Sequence, residues 1–215
     1  MIEALILFAA LGIFAGLIAG MFGVGGGIIT VPVLVACFIQ YGFEETIVIH
    51  MAVGTSLACI IFTGISSANA HNKKGAINYE FLKPIALGIV IGAFLGALFA
   101  VQLSGDILKI IIGIFALLVG IQMGINKDIQ LKERTKINKE PYFVGTGIGF
   151  MSSILGIGGG IFSVPYLKAS GLSMTSSVGT SAACGVPIAI FGAFGYLISG
   201  VNNTLLPPLT VGYIY

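Results

Sequence analysis

The stretch SILGIGGGIFSVPYL, residues 153–167, decides how this chain reads. It packs four glycines into positions 156–160 and follows them with a proline, all within apolar sequence. A near copy, GMFGVGGGIITVPVL, occupies residues 20–34. The two align without gaps and are identical at eight of fifteen positions: Gly23/Gly156, Gly25/Gly158, Gly26/Gly159, Gly27/Gly160, Ile28/Ile161, Val31/Val164, Pro32/Pro165 and Leu34/Leu167. Thr30 and Ser163 both keep a hydroxyl. A second pair follows in the same order, VGTSLAC at 53–59 and VGTSAAC at 178–184. Two matches in one order mark an internal repeat.

Composition fixes the solvent. The 215 residues are 57% hydrophobic and 8% charged, against roughly 25% charged in soluble domains. So much apolar surface needs lipid around it. Apolar stretches approaching the ~20 residues that cross a bilayer occur at 2–22, 28–39, 47–70, 85–101, 107–125, 143–155 and 175–199. The expected class is an all-α polytopic membrane protein. The first charge is Glu3, with no basic residue before it, so the start reads as a first membrane segment rather than a removable leader. A net charge of +2 is too small to point to nucleic acid. Cys37, Cys59 and Cys184 form no metal-ligand or disulfide pattern and read as packing residues. No cofactor is expected.

The long polar run NKDIQLKERTKINKEP, 126–141, carries five Lys/Arg and joins the two copies. By the positive-inside rule it is cytoplasmic, as is the basic loop 71–83. Segments 41–46 and 102–106 lack Lys and Arg and fit the outside. Counting crossings back from 126 gives the first copy (1–125) about five segments, an odd number. The second copy (142–215) then enters from the opposite side, giving an inverted-topology repeat. The second copy ends at Tyr215, before any counterpart of residues 81–125, and reads as truncated by about two spanning helices of ~20 residues. Gly88, Gly92 and Gly96, spaced by four, should let two helices approach closely.

The glycine runs match no nucleotide motif. No Lys-Ser/Thr follows Gly27 or Gly160, and Ile28 and Ile161 stand where a dinucleotide fingerprint needs glycine. They read instead as broken membrane helices. Structural breaks fall at Gly23, Pro32, Gly156 and Pro165, with new helices starting near Ile28 and Ile161 and the prolines near their first turns. The first amides of such a helix lack intrahelical partners and carry the positive end of its dipole. They form an anion site made of backbone. The expected substrate-binding residues are Gly25, Gly26, Gly27, Thr55, Ser56, Gly158, Gly159, Gly160, Thr180 and Ser181. Lys109 and Lys168 lie near segment ends, so amides and hydroxyls bind the anion. His50 is the candidate proton-coupling residue, although such a histidine more often sits at the membrane interface. No metal site is expected.

The paired GVGGGIITVP and GIGGGIFSVP, each followed by Gly-Thr-Ser, resemble the sulfite exporter TauE/SafE family of membrane permeases over essentially the whole chain. The resemblance implies a polytopic permease of the cytoplasmic membrane that exports sulfite or related organosulfur anions. It carries to Gly23, Gly25, Gly26, Gly27, Pro32, Gly156, Gly158, Gly159, Gly160, Pro165 and both Gly-Thr-Ser triplets. The chain departs from the family in ending early. The leading expectation is a secondary transporter whose partners are a small anionic substrate and the lipid bilayer. A passive anion channel of the same architecture is the alternative. An intramembrane enzyme would need a carboxylate partner that no spanning segment offers.

Overall fold

The computed structural model describes Gly12, residues 27–125 and residues 140–215. The segment 2–22, the breaks and ligands at Gly23, Gly25 and Gly26, and most of the basic run at 126–141 lie outside the described residues.

Among residues 27–125 and 140–215, seven helices follow in order: α1 Gly27–Gln40, α2 Glu45–Lys73, α3 Tyr79–Gln102, α4 Gly105–Ile125, α5 Glu140–Leu155, α6 Gly160–Ala169 and α7 Met174–Gly200. Among the described residues no strand forms beyond an isolated bridge, Val211 to Ile214. The fold is that of an all-α, multi-pass membrane protein. Four helices, α2, α3, α4 and α7, are long and apolar enough to cross a bilayer. Polar side chains set the helix starts. Asn78 Oδ1 accepts from the amides of Glu80 and Phe81 at 3.0 and 3.2 Å, capping α3. Ser173 Oγ accepts from the Ser176 amide at 3.2 Å, capping α7.

The remaining helices are too short to cross. At ~1.5 Å per residue, the 14 residues of α1 and the 10 of α6 span roughly 21 and 15 Å against a ~30 Å hydrocarbon core. Both begin where their glycine run ends, at Gly27 and Gly160. Pro32 and Pro165 each stand sixth in their helix, one turn deeper than expected. They interrupt no helix; each leaves one carbonyl four residues back, Ile28 or Ile161, without an amide from the proline.

α2 forms the centre of the bundle. Residues 47–57 are buried on every side, the pattern of a helix wrapped all round by others. α7 packs against it antiparallel: Gly54 faces Tyr196, Leu57 faces Gly192, and Gly64 faces Val186. α4 lies outermost, with Ile110, Ile114, Leu117 and Leu118 exposed where lipid would cover them. α3 and α5 run parallel in backbone contact. Gly88, Gly92 and Gly96 abut Tyr142, Thr146 and Phe150, and Gly145 and Gly149 abut Ile85 and Ile89 in return. Missing side chains at these positions let the two helices touch, as the spacing predicted.

This packing makes a direct prediction. A Cβ at Gly92 would overlap the Thr146 carbonyl, whereas one at Gly113 meets nothing within 4 Å. Gly92→Ala should cost about 1–3 kcal/mol through overpacking, read as a lower melting temperature in detergent. Gly113→Ala should leave it unchanged.

Candidate functional site

The second glycine run builds the centre of the molecule. α5 ends at Leu155, and the chain then bends back on itself, the Ile157 amide donating to the Ser152 carbonyl at 3.0 Å. Gly156 and Gly159 hold φ of +69° and +75°, left-handed conformations that glycine adopts without steric cost. A side chain at Gly159 would also drive into Ile188. α6 starts one residue later. Its first bonds run from the Phe162 and Ser163 amides to the Gly159 carbonyl, at 3.1 and 2.8 Å. The amides of Gly160 and Ile161 precede these bonds, so the positive end of α6 opens onto the break. The whole bend is enclosed: residues 152–157 and Gly159 are buried.

The two copies meet here. Gly27, the first residue of α1, backs onto the Gly156 carbonyl and Ile157; only a residue without Cβ fits. The structure therefore brings the end of the first run onto the start of the second break. Gly158 and Gly160 line the same bend, both half-buried.

The Gly-Thr-Ser triplets surround this junction from α2 and α7. Ser56 Oγ donates to the Gly156 carbonyl at 2.9 Å, tying α2 to the break in the other copy. Ser181 Oγ stands 4.0 Å from where a Cβ on Gly160 would be. The threonines face outward from the junction. Thr180 Oγ1 accepts from the Asn78 amide at 2.9 Å, and Thr55 Oγ1 accepts from the Tyr215 amide at 3.0 Å. The preceding glycines match as well, with Gly179 against the Ala76 carbonyl and Gly54 against the Tyr213 carbonyl. Three of the four hydroxyls are thus engaged with backbone across the two copies, and each threonine keeps its own proton to donate.

These contacts expose a third repeated element that the linear reading missed. Gly75-Ala76-Ile77-Asn78 and Gly212-Tyr213-Ile214-Tyr215 occupy equivalent places, with φ of +63° at Gly75 and +58° at Gly212. Its only signal is the shared Gly-x-Ile. The second example follows its triplet after a longer connection, so an ungapped comparison passes over it.

His50 is buried within the bundle, only 4% exposed. Its Nε2–H donates to the Leu103 carbonyl at 3.1 Å, its Nδ1 has no partner, and its ring packs 5.5 Å from that of Tyr213. Among the described residues, the buried polar side chains are this histidine and eight serines and threonines, with no Asp, Glu, Lys or Arg. Lys109 pairs with Asp106 at 3.5 Å near the start of α4. Among the described residues no cluster of His, Cys, Asp and Glu could hold a metal ion, and the three cysteines are free. Among the described residues, the bend is thus surrounded by backbone and hydroxyl groups with no buried charged side chain.

Sequence relatives place the chain in a transporter family. The sulfite exporter TauE/SafE family profile matches residues 8–215. A probable membrane transporter protein of Haemophilus influenzae is 36% identical over 217 residues, covering 100% of this chain and 82% of the relative. Similar proteins of the same description come from Methanocaldococcus jannaschii (30% identical, covering 95% of this chain and 73% of the relative) and Bacillus subtilis (30%, covering 92% and 81%). No solved structure matches the chain. With its paired glycine runs, its Gly-Thr-Ser triplets and a match over nearly its full length, the chain belongs to the sulfite exporter TauE/SafE family of membrane transporters.

Proposed function

We propose that this transporter is a secondary carrier of small oxyanions, exporting sulfite or an organosulfur anion across the cytoplasmic membrane by alternating access. The observation that carries the reading is the break at Gly156–Gly159, which leaves the first amides of α6 without intrahelical partners where, among the described residues, no charged side chain is buried. Gly158, Gly159 and Gly160 cradle the anion from one copy, and Gly25, Gly26 and Gly27 from the other. Ser181 adds a hydroxyl donor beside Gly160, while Ser56, Thr55 and Thr180 brace the surrounding backbone through their own bonds. Neutral donors hold an anion loosely enough to release it, as a carrier requires.

The two copies are proposed to have opposite orientations, related by an axis in the membrane plane. The antiparallel packing of α2 on α7, the helices that carry the two triplets, supports this. So does the reciprocity of the threonine bonds, each copy's threonine accepting an amide from the other. The basic stretches 71–83 and 126–141 are placed in the cytoplasm by their lysines and arginine. A channel of the same architecture would show turnover far above the carrier range. An intramembrane enzyme has no support from a transporter family.

Proton coupling through His50 is a second, separable part of the proposal. The buried Nδ1 without a partner favours it, since that nitrogen can take up a proton while Nε2–H keeps its bond to Leu103.

Purified protein in proteoliposomes should show saturable flux of labelled sulfite, competed by sulfonates more than by sulfate. Absence of saturable movement of any of these anions overturns the carrier reading. Gly160 tolerates a methyl group sterically, its nearest neighbour being Ser181 Oγ at 4.0 Å. Gly160→Ala should therefore insert normally and raise the KM for sulfite severalfold by crowding the amides. Gly159→Leu, which must strain its backbone and displace Ile188, should abolish transport. His50→Gln keeps an N–H for the Leu103 carbonyl and removes the titration. It should leave KM near wild type and abolish the response of flux to a pH gradient; an unchanged response rules out coupling through His50.

A further inference from the structure

We propose that the Ser152 hydroxyl is a ligand of the transported anion, the side-chain donor that completes the amide cradle at the start of α6. This rests on the reading of the break as an anion site.

Serines and threonines within helices usually donate back to the carbonyl four residues earlier. This chain follows that habit repeatedly: Thr146 bonds Tyr142, Ser163 bonds Gly159, Ser170 bonds Tyr166, and Ser199 bonds Gly195, all at 2.8–3.0 Å. Ser152, in the last turn of α5, does not. It is 0% exposed, and its Oγ has no hydrogen-bond partner. A buried hydroxyl left unpaired costs on the order of 1–3 kcal/mol, so its retention needs a reason beyond packing.

Its aim supplies one. Ser152 Oγ stands 3.3 Å from where a Cβ on Gly159 would be, the residue that immediately precedes α6. The backbone bond from Ile157 to the Ser152 carbonyl folds the break over the same turn of α5. The hydroxyl therefore faces the residue from which α6 starts. An oxyanion offers several acceptor oxygens in different directions. Two amides on one helix end engage one side of it, and a hydroxyl from a second helix engages another.

The hydroxyl is not part of the repeated motif. Extending the ungapped alignment by one residue places Ala19 opposite Ser152 and Gly20 opposite Ser153. The first copy thus carries the same glycine run in its sequence without either hydroxyl. Ser153 provides the contrast within the second copy. Its Oγ is also buried and unpartnered, but it lies against α7, 2.6 Å from where a Cβ on Gly192 would be, and not on Gly159.

The test compares Ser152→Ala and Ser153→Ala with wild type, full chain, in proteoliposomes and in detergent. Ser152→Ala should raise the KM for sulfite about tenfold and shrink the sulfite-dependent rise in melting temperature. Its ligand-free melting temperature should equal or exceed that of wild type, because an unpaired hydroxyl is removed. Ser153→Ala should keep wild-type KM and sulfite response. A Ser152→Ala protein with wild-type KM and wild-type stabilisation by sulfite overturns the assignment, as does one that fails to accumulate folded, which would make the hydroxyl structural. A wild-type protein neither transporting nor stabilised by sulfite, sulfate or a sulfonate overturns the anion reading itself, and the Ser152 assignment with it.

Discussion

Hydrocarbon offers no hydrogen bonds, so a peptide group released from a helix inside a bilayer has to be satisfied by protein, water or solute. The bend from Gly156 to Gly159 lives under that constraint, and the surrounding contacts answer it. The Ile157 amide turns back to Ser152, Ser56 reaches from α2 to the Gly156 carbonyl, and Ser163 joins two amides on the Gly159 carbonyl. These partners take up carbonyls and one amide of the bend. The first two amides of α6 remain, and they are the groups proposed to meet the anion.

The rest of the bundle holds that bend without introducing charge. Glycines on α3 and α5 bring two backbones together, and a glycine at the head of α1 lets the first copy touch the second at its break. Among the described residues, side-chain polarity in the interior is confined to hydroxyls and one histidine. A buried lysine or arginine would bind an anion more tightly but would itself have to be desolvated and matched by a counter-charge. A lining of neutral dipoles avoids both costs.

Much of this was legible from the residues. The helices α2, α3, α4 and α7 lie within a few residues of the apolar stretches at 47–70, 85–101, 107–125 and 175–199, because membrane-spanning length is a strong signal. The restart at Gly160 followed from the glycine run. Burial was harder to read. His50 stands near the start of an apolar stretch, a place typical of interfacial residues, yet the helices around α2 bury it. The prolines looked like helix starters and proved to be second-turn residues. Ser152 carries no sequence signal, since its distinction is a missing bond rather than a motif. The Gly75 and Gly212 elements escaped because their matching contacts are tertiary, and the connections before them differ in length.

The crossed threonine bonds have a consequence for how the chain is made. The amide of Asn78 is paired with a hydroxyl 102 positions further on, and the hydroxyl of Thr55 with an amide 160 positions further on. When α2 and α3 first enter the membrane, neither of those partners has been synthesised. The early helices must therefore wait, held by the insertion machinery or by transient water, until α7 arrives. Final docking is then a late event in biogenesis, in which both copies settle together instead of one serving as a finished template for the other.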